Sequence, residues 1–207
     1  MDFSVFHEFD YGIFTFFGEH IHSAVMNIVA EFFTFFGSSE FITPMAIAGA
    51  IMILFKKTRK VGMSVLFAVL VGTLITNLVA KPLFDRPRPF NYYAEDELYM
   101  SWYTFAGSHF ESSKSFPSGH TTGAFELATA LFLTLNKKYS WIFPVFALFV
   151  GLSRIYLMVH YPTDVIGGIA AGVFAGIMGW LIAKAILKKT EGTKFDNFDL
   201  AKKFKKA

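Results

Sequence analysis

The sequence predicts an all-α protein embedded in a membrane: a six-span transmembrane helical bundle with an N-terminal interfacial helix and one long extracytoplasmic loop. Three observations carry this expectation. Apolar runs close to membrane-crossing length recur along the 207 residues, 54% of which are hydrophobic. The mean hydropathy of +0.45 is too high for an ordinary soluble domain of this size. Finally, 14 of the 19 Lys and Arg residues fall in three clusters, at 56–60, 137–138 and 184–206. With six spans and both termini inside, all three clusters lie in the cytoplasm, as the positive-inside bias requires.

The same composition narrows the function. The chain has no cysteine, which excludes disulfides, thiol catalysis and cysteine metal sites. Its net charge of +3 could suggest nucleic acid, but the clustering of charge beside apolar runs fits a bilayer. Asp2, Glu8 and Asp10 stand where a signal peptide has basic residues, so no cleavable leader is expected. A single domain, 1–207, is expected, with no internal repeat.

The elements follow in order. Phe3, Phe6, Phe9, Ile13, Phe14 and Phe17 recur at helical spacing among His7, Glu8 and Asp10, which predicts an interfacial helix within residues 1–19. A core of six helices over 20–189 comes next. The first span runs over 21–36 with Glu31 inside it, then a short loop Gly37-Ser38-Ser39-Glu40, then a second span over 41–55. A third covers 61–80. The polar segment 81–117 is the one long connection. The fourth span, 121–135, contains Glu126; the fifth covers 140–159; the sixth, 165–183, carries Gly167, Gly168, Gly172 and Gly176, which allow close helix packing. The tail 190–207 is lysine-rich, expected in the cytoplasm and frayed at its end.

Five cations escape the cytoplasmic clusters: Lys81, Arg86, Arg88, Lys114 and Arg154. All fall on or just below the opposite face. Arg154 lies within an apolar run, about 9 Å below His160 if the run is helical, and an ionisable group at that depth usually lines a pathway or a reaction site. A plain salt bridge to Glu126 is the alternative. His160 stands in a corner before Pro162, a proline suited to the first turn of a helix. Asp164, in that first turn, can reach back and fix the imidazole tautomer, as a nucleophilic or acid–base histidine needs. It could equally serve only as a helix cap.

The stretch Pro117-Ser118-Gly119-His120 opens the fourth span. Ser118 is a good N-cap, and Gly119 admits a close approach of a bound group. The unpaired N–H groups of that helix start form an anion site, with His120 beside it. A site rich in Lys, Arg and helix N-terminal amides is what a phosphoryl group requires, because its transfer rests on positioning and charge stabilisation. A transporter using Arg154 and Glu126 as pathway residues, or a non-catalytic binding protein, are the rival classes.

Three patterns taken together, Lys81-x6-Arg88-Pro89, Pro117-Ser118-Gly119-His120 and Ser153-Arg154-x5-His160-x3-Asp164, resemble the type 2 phosphatidic acid phosphatase family over nearly the whole chain. The resemblance implies a membrane lipid phosphatase needing neither metal nor cofactor. It implies His160 as nucleophile forming a phosphohistidine, Asp164 holding its ring, and His120 protonating the leaving oxygen and then activating water. Lys81, Arg88 and Arg154, with Ser118 and the Gly119 amide, would hold the phosphate oxygens. The spacing selects Arg88, not Arg86, as the family arginine. The expected partners are a lipid substrate and the bilayer, not nucleic acid. Phosphatidylglycerol phosphate, phosphatidic acid and undecaprenyl diphosphate all remain open. Phe90, Tyr92, Tyr93, Tyr99, Trp102, Tyr103 and Phe105 in the long loop suggest contact with the membrane interface. The loop's Glu95, Asp96, Glu97 and Glu111 would repel small soluble anions.

Overall fold

The structure is a computed structural model describing residues 3–204; the two residues that open the expected interfacial helix and the three that close the expected tail lie outside it. Among the described residues every regular element is helical. Helix α1 (His7–Phe16) follows a 3₁₀ turn at Ser4–Phe6 and runs into a π turn at Phe17–Ile21. It buries Asp10 and Phe14 and leaves Phe9 and Phe16 exposed, the two-sided pattern that its sequence period implies.

Helices α2 (Ala24–Phe35) and α3 (Ser39–Met52) correct the expected spans at 21–36 and 41–55. They form one membrane-length segment, Ala24–Met52, broken at Gly37 and Ser38. The contacts progress in one direction along the segment: Asn27 meets the Tyr156 hydroxyl, Phe33 and Phe36 pack against Phe146, and Gly49 sits 3.0 Å, measured from an ideal Cβ, from the Gly62 carbonyl. The break therefore does not reverse the chain. Gly37 presses against the His120 backbone at 2.7 Å by the same measure, a spot with no room for a side chain.

Helix α4 (Arg59–Thr73) continues through π turns at Leu74–Ala80 into α5 (Lys81–Phe84), which Asp85 ends at φ 46°. The expected long connection is itself mostly structured. Helices α6 (Pro89–Tyr92) and α7 (Glu97–Phe105) lie within it, α7 capped by Asp96 on the Tyr99 N–H at 3.0 Å. Phe90, Tyr99, Trp102 and Tyr103 point inward and share a core with Phe14 and Tyr161. Most of the loop's aromatic surface therefore covers the bundle end and is not offered to lipid.

Helix α8 (Gly119–Thr134) is the central post, buried from Thr121 through Ala128. After α9 (Lys137–Ser140), helix α10 (Ile142–Tyr156) returns, and α11 (Pro162–Lys189) spans the full bundle with 28 residues. Gly172 and Gly176 of α11 touch the α8 backbone, and Gly179 touches the α4 backbone at Ser64 and Ala68. This is the close packing that small residues permit. Among the described residues, four segments are long and apolar enough to cross a membrane: Ala24–Met52, Arg59–Tyr92, Lys137–Tyr156 and Pro162–Lys189. With 16 residues, α8 is shorter.

The end of the tail, where fraying is expected, lies outside the described residues; the tail before it is structured. Helices α12 (Lys194–Asn197) and α13 (Leu200–Phe204) close the chain. Arg59, 1% exposed, donates to the carbonyls of Ile53 at 2.8 Å, Phe195 at 2.9 Å and Phe198 at 2.5 Å. The Leu200 N–H meets the Leu54 carbonyl at 3.0 Å. The tail is thus clasped to the α3–α4 turn, while α1 packs at the opposite, His160-bearing end.

Candidate active site

The site is assembled where α11 begins. Leu157 to Tyr161 form a tight corner after α10, with Met158 at φ 57°. A non-glycine residue in that region costs on the order of 1–2 kcal/mol, so its surroundings must hold it. Tyr99 does so, its hydroxyl donating to the Met158 carbonyl at 2.5 Å. The corner presents His160, fully buried.

Pro162 opens α11, and Asp164 reaches back to the Tyr161 N–H at 3.1 Å. The same Oδ2 lies 3.3 Å from His160 Nδ1 and accepts the Ser115 hydroxyl. Capping and histidine support are therefore not alternatives; one carboxylate does both. On the other side of the ring, Arg88 Nη1 lies 2.7 Å from His160 Nε2. A guanidinium has no acceptor, so Nε2 must accept and Nδ1 must carry the proton donated to Asp164. This is the tautomer with its free electron pair aimed at the cations. Burial, then the charges of Arg88 and Arg154, hold this imidazole well below the usual histidine range, so it stays neutral and nucleophilic at neutral pH.

The cations converge. Arg88 also donates to Glu111 Oε2 at 2.6 Å and to the Ser113 hydroxyl at 2.9 Å. Lys81 Nζ reaches the same hydroxyl at 3.0 Å, and an ideal Cβ on Gly119 would lie 3.8 Å from that Nζ. Arg154 pairs with Glu111 Oε1. The suggested Arg154–Glu126 salt bridge is absent, because Glu111 descends from the loop and takes the guanidinium instead. Ser118 caps α8, its Oγ 3.4 Å from the Thr121 N–H and 2.9 Å from the Thr121 hydroxyl. Its own N–H is tied to the Asp164 carbonyl at 3.0 Å. His120, Lys81, Glu111 and Gly119 line a cavity of about 240 Å³, which continues past Thr122, Thr76 and Asn77 to Glu126.

Sequence reasoning missed Glu111, Ser113, Ser115 and Arg86. Arg86 is not idle. Buried, it donates to Asp164 Oδ1 and to Asp10 Oδ2, each at 2.7 Å. The signal for the loop residues was their position just upstream of the Pro-Ser-Gly-His stretch. For Arg86 it was an arginine next to a proline-stiffened motif.

Comparison with known proteins accords with this geometry. The PAP2 superfamily profile matches residues 61–188. The chain belongs to the PAP2 superfamily. Phosphatidylglycerophosphatase B of Bacillus subtilis is 35% identical over 160 residues, covering 72% of this chain and 70% of that protein. The undecaprenyl-diphosphatase BcrC of the same organism is 32% identical over 147 residues, covering 67% and 69%. The crystal structure of a transmembrane PAP2-type phosphatidylglycerolphosphate phosphatase from Bacillus subtilis matches with TM-score 0.67 and 28% identity, covering 91% of this chain and 89% of that one. This PAP2 protein is a membrane-embedded phosphoric ester hydrolase of the lipid phosphatase type.

Proposed function

We propose that this enzyme cleaves the terminal phosphate from a glycerol-bearing membrane lipid through a phosphohistidine, on the extracytoplasmic face. The observation that carries the reading is His160, with Nδ1 on Asp164 and Nε2 on Arg88. When substrate binds, Arg88 transfers from Nε2 to a phosphate oxygen, and the freed electron pair attacks phosphorus in line. Burial and the charges of Arg88 and Lys81 keep His120 neutral in the free site. It takes up a proton as the phosphate's negative charge binds beside it, and gives that proton to the departing oxygen as the P–O bond to the lipid breaks and the N–P bond forms. His120 then takes a proton from water, which attacks phosphorus and releases phosphate. Lys81, Arg88 and Arg154, with Ser118 and the Gly119 amide at the start of α8, balance the equatorial charge. Charge stabilisation comes from these groups, so turnover is expected to persist in excess EDTA.

The cavity beside His120 supports the choice of leaving group. Glu126 is 2% exposed and has no hydrogen-bond or ion-pair partner among the described residues; the Thr76 hydroxyl is likewise buried without one. A buried polar group without a partner is costly. Glycerol hydroxyls lying in the cavity would partner both, whereas a second phosphate would meet the Glu126 and Glu111 carboxyl groups. Phosphatidylglycerol phosphate is therefore favoured over undecaprenyl diphosphate. The test is phosphate release from both lipids by the purified enzyme, together with trapping of labelled phosphoenzyme. We expect His160→Ala to lose activity and label, and His120→Ala to retain label from a substrate with a good leaving group. Label on the His160 variant would reverse the histidine roles; faster turnover of the diphosphate would reject the choice of lipid.

A further inference from the structure

We propose that Asp10, on the N-terminal helix, is a positioning residue for the nucleophile, acting on His160 through Arg86 and Asp164; this rests on the role given above to His160. Asp10 is fully buried, far in sequence from every motif. Its Oδ2 accepts from Arg86 Nη2 at 2.7 Å and from the Thr163 hydroxyl at 2.8 Å, and its Oδ1 accepts the Thr163 N–H at 3.0 Å. Arg86 in turn donates Nη1 to Asp164 Oδ1 at 2.7 Å and to the Thr163 hydroxyl at 2.7 Å. Its guanidinium is clamped between the Phe3 ring at 4.3 Å and the Tyr161 ring at 3.6 Å. The chain of contacts is carboxylate, guanidinium, carboxylate, imidazole, without an exposed member.

Charge accounting assigns the first carboxylate its task. As His160 attacks phosphorus its ring becomes cationic, and Asp164 must offer it an unshared negative charge. A lone, desolvated guanidinium on Asp164 Oδ1 would hold that charge on the wrong side, because an ion pair is strong where water is excluded. Asp10 supplies a second anion for Arg86, so the triplet carries a net charge of −1 and Asp164 keeps its hold on Nδ1. Geometry points the same way. With Oδ1 fixed by Arg86, and Oδ2 by the Tyr161 N–H and Ser115, the Asp164 carboxylate has one orientation, the one facing the imidazole. Arg86 can hold that orientation only while Asp10 and the two rings hold Arg86.

The experiment compares Asp10→Asn, Asp10→Glu and Phe17→Ala in the full-length enzyme, measuring kcat, KM, melting temperature and the Asp164→Asn background. Phe17, at the end of α1, packs on Tyr156 and not on the rings that clamp Arg86, so its loss loosens the same helix without touching the charges. We expect Asp10→Asn to lower kcat at least about tenfold at nearly unchanged KM, the scale on which partners of a functional histidine act. Asp10→Glu should recover part of that loss. Phe17→Ala should lower the melting temperature while leaving kcat within about threefold of wild type, and Asp10→Asn should add little once Asp164 is already Asn, because both act through one imidazole. A kcat loss in Phe17→Ala equal to that in Asp10→Asn, or fully additive effects of Asp10→Asn and Asp164→Asn, would overturn the proposal. Should Asp10→Asn fail to fold, Asp10→Glu decides: kcat equal to wild type with a shifted carboxylate rejects it, reduced kcat at unchanged KM supports it. A wild-type enzyme without lipid phosphatase activity, or active His160→Ala, would instead reject the parent reading.

Discussion

One Glu111 carboxylate spans Arg88 and Arg154; if these arginines hold phosphate as proposed, its two oxygens stand in for two equatorial phosphate oxygens. Substrate would then have to displace it, and apparent affinity would fall by the fraction of enzyme in which the arginines are already engaged. Glu111→Gln is expected to tighten vanadate inhibition about tenfold, corresponding to roughly 1.4 kcal/mol of relieved competition. Weaker vanadate binding in that variant would mean the carboxylate aligns the arginines and does not compete. His160 yields a second expectation. Its folded-state pKa is depressed from 6.5 by burial and the neighbouring arginines. As pH falls below 6.5, the unfolded chain binds a proton that the folded imidazole refuses, so stability is retained above that value and lost below it. The melting temperature of the wild type in detergent should therefore drop more steeply on acidification from pH 6.5 than that of His160→Asn. Equal slopes would show that other groups set the acid limb.

At the scale of elements, glycines decide how close the helices come. An ideal Cβ at Gly179 would lie 2.6 Å from the Ser64 carbonyl and 2.8 Å from the Ala68 Cα, both backbone atoms of α4 that cannot step aside. At Gly12, on α1, nothing lies within 4 Å. Gly179→Ala should cost about 1–3 kcal/mol through overpacking, while Gly12→Ala should add roughly 0.5–1 kcal/mol of helix stability. Melting temperatures that moved in the same direction would contradict the packing described. Such elements were largely readable from sequence: the apolar periods, the glycine stripe in α11, and the caps at Ser118 and Pro162. The three motifs also named Arg88 and Asp164, the two side chains that touch the His160 ring. What stayed hidden has physical causes. Gly37-Ser38 reads the same whether it reverses a chain or merely breaks a helix, and only the order of contacts along α2 and α3 decides. Asp10, Arg86, Ser115 and Glu111 carry no local pattern; their meaning arises from contacts across 23 to 153 residues of chain. Arg86 in particular was set aside because family spacing favours Arg88, a rule that names one cation and is silent on the other.

The whole molecule has two unlike ends. Helix α1 packs beside His160 through Asp10, Thr163 and Tyr161, whereas the tail is locked to Arg59 and Leu54 at the other end. With 24–52 as a single broken crossing, the described chain starts at one end and finishes at the other. An odd number of crossings would put the two ends on opposite faces, whereas the sequence reading expects both termini in the cytoplasm. The charge bias still orients the bundle, since Lys56, Lys57, Arg59, Lys60, Lys137, Lys138 and the basic tail fall at the far end from His160. We therefore predict that α1 and the active site face outward while the tail faces the cytoplasm. The absence of cysteine makes the test clean, because any thiol introduced is the only one. Val5, 76% exposed, and Glu191, exposed in the tail, are suitable single-cysteine positions. In intact cells a membrane-impermeant maleimide should label the Val5→Cys protein and leave Glu191→Cys unlabelled until the membrane is opened. Labelling of neither position, or of both, before permeabilisation would place the two ends on one face and restore an even number of crossings. Labelling of Glu191→Cys alone would turn the site towards the cytoplasm and remove the basis for an outward-facing lipid substrate.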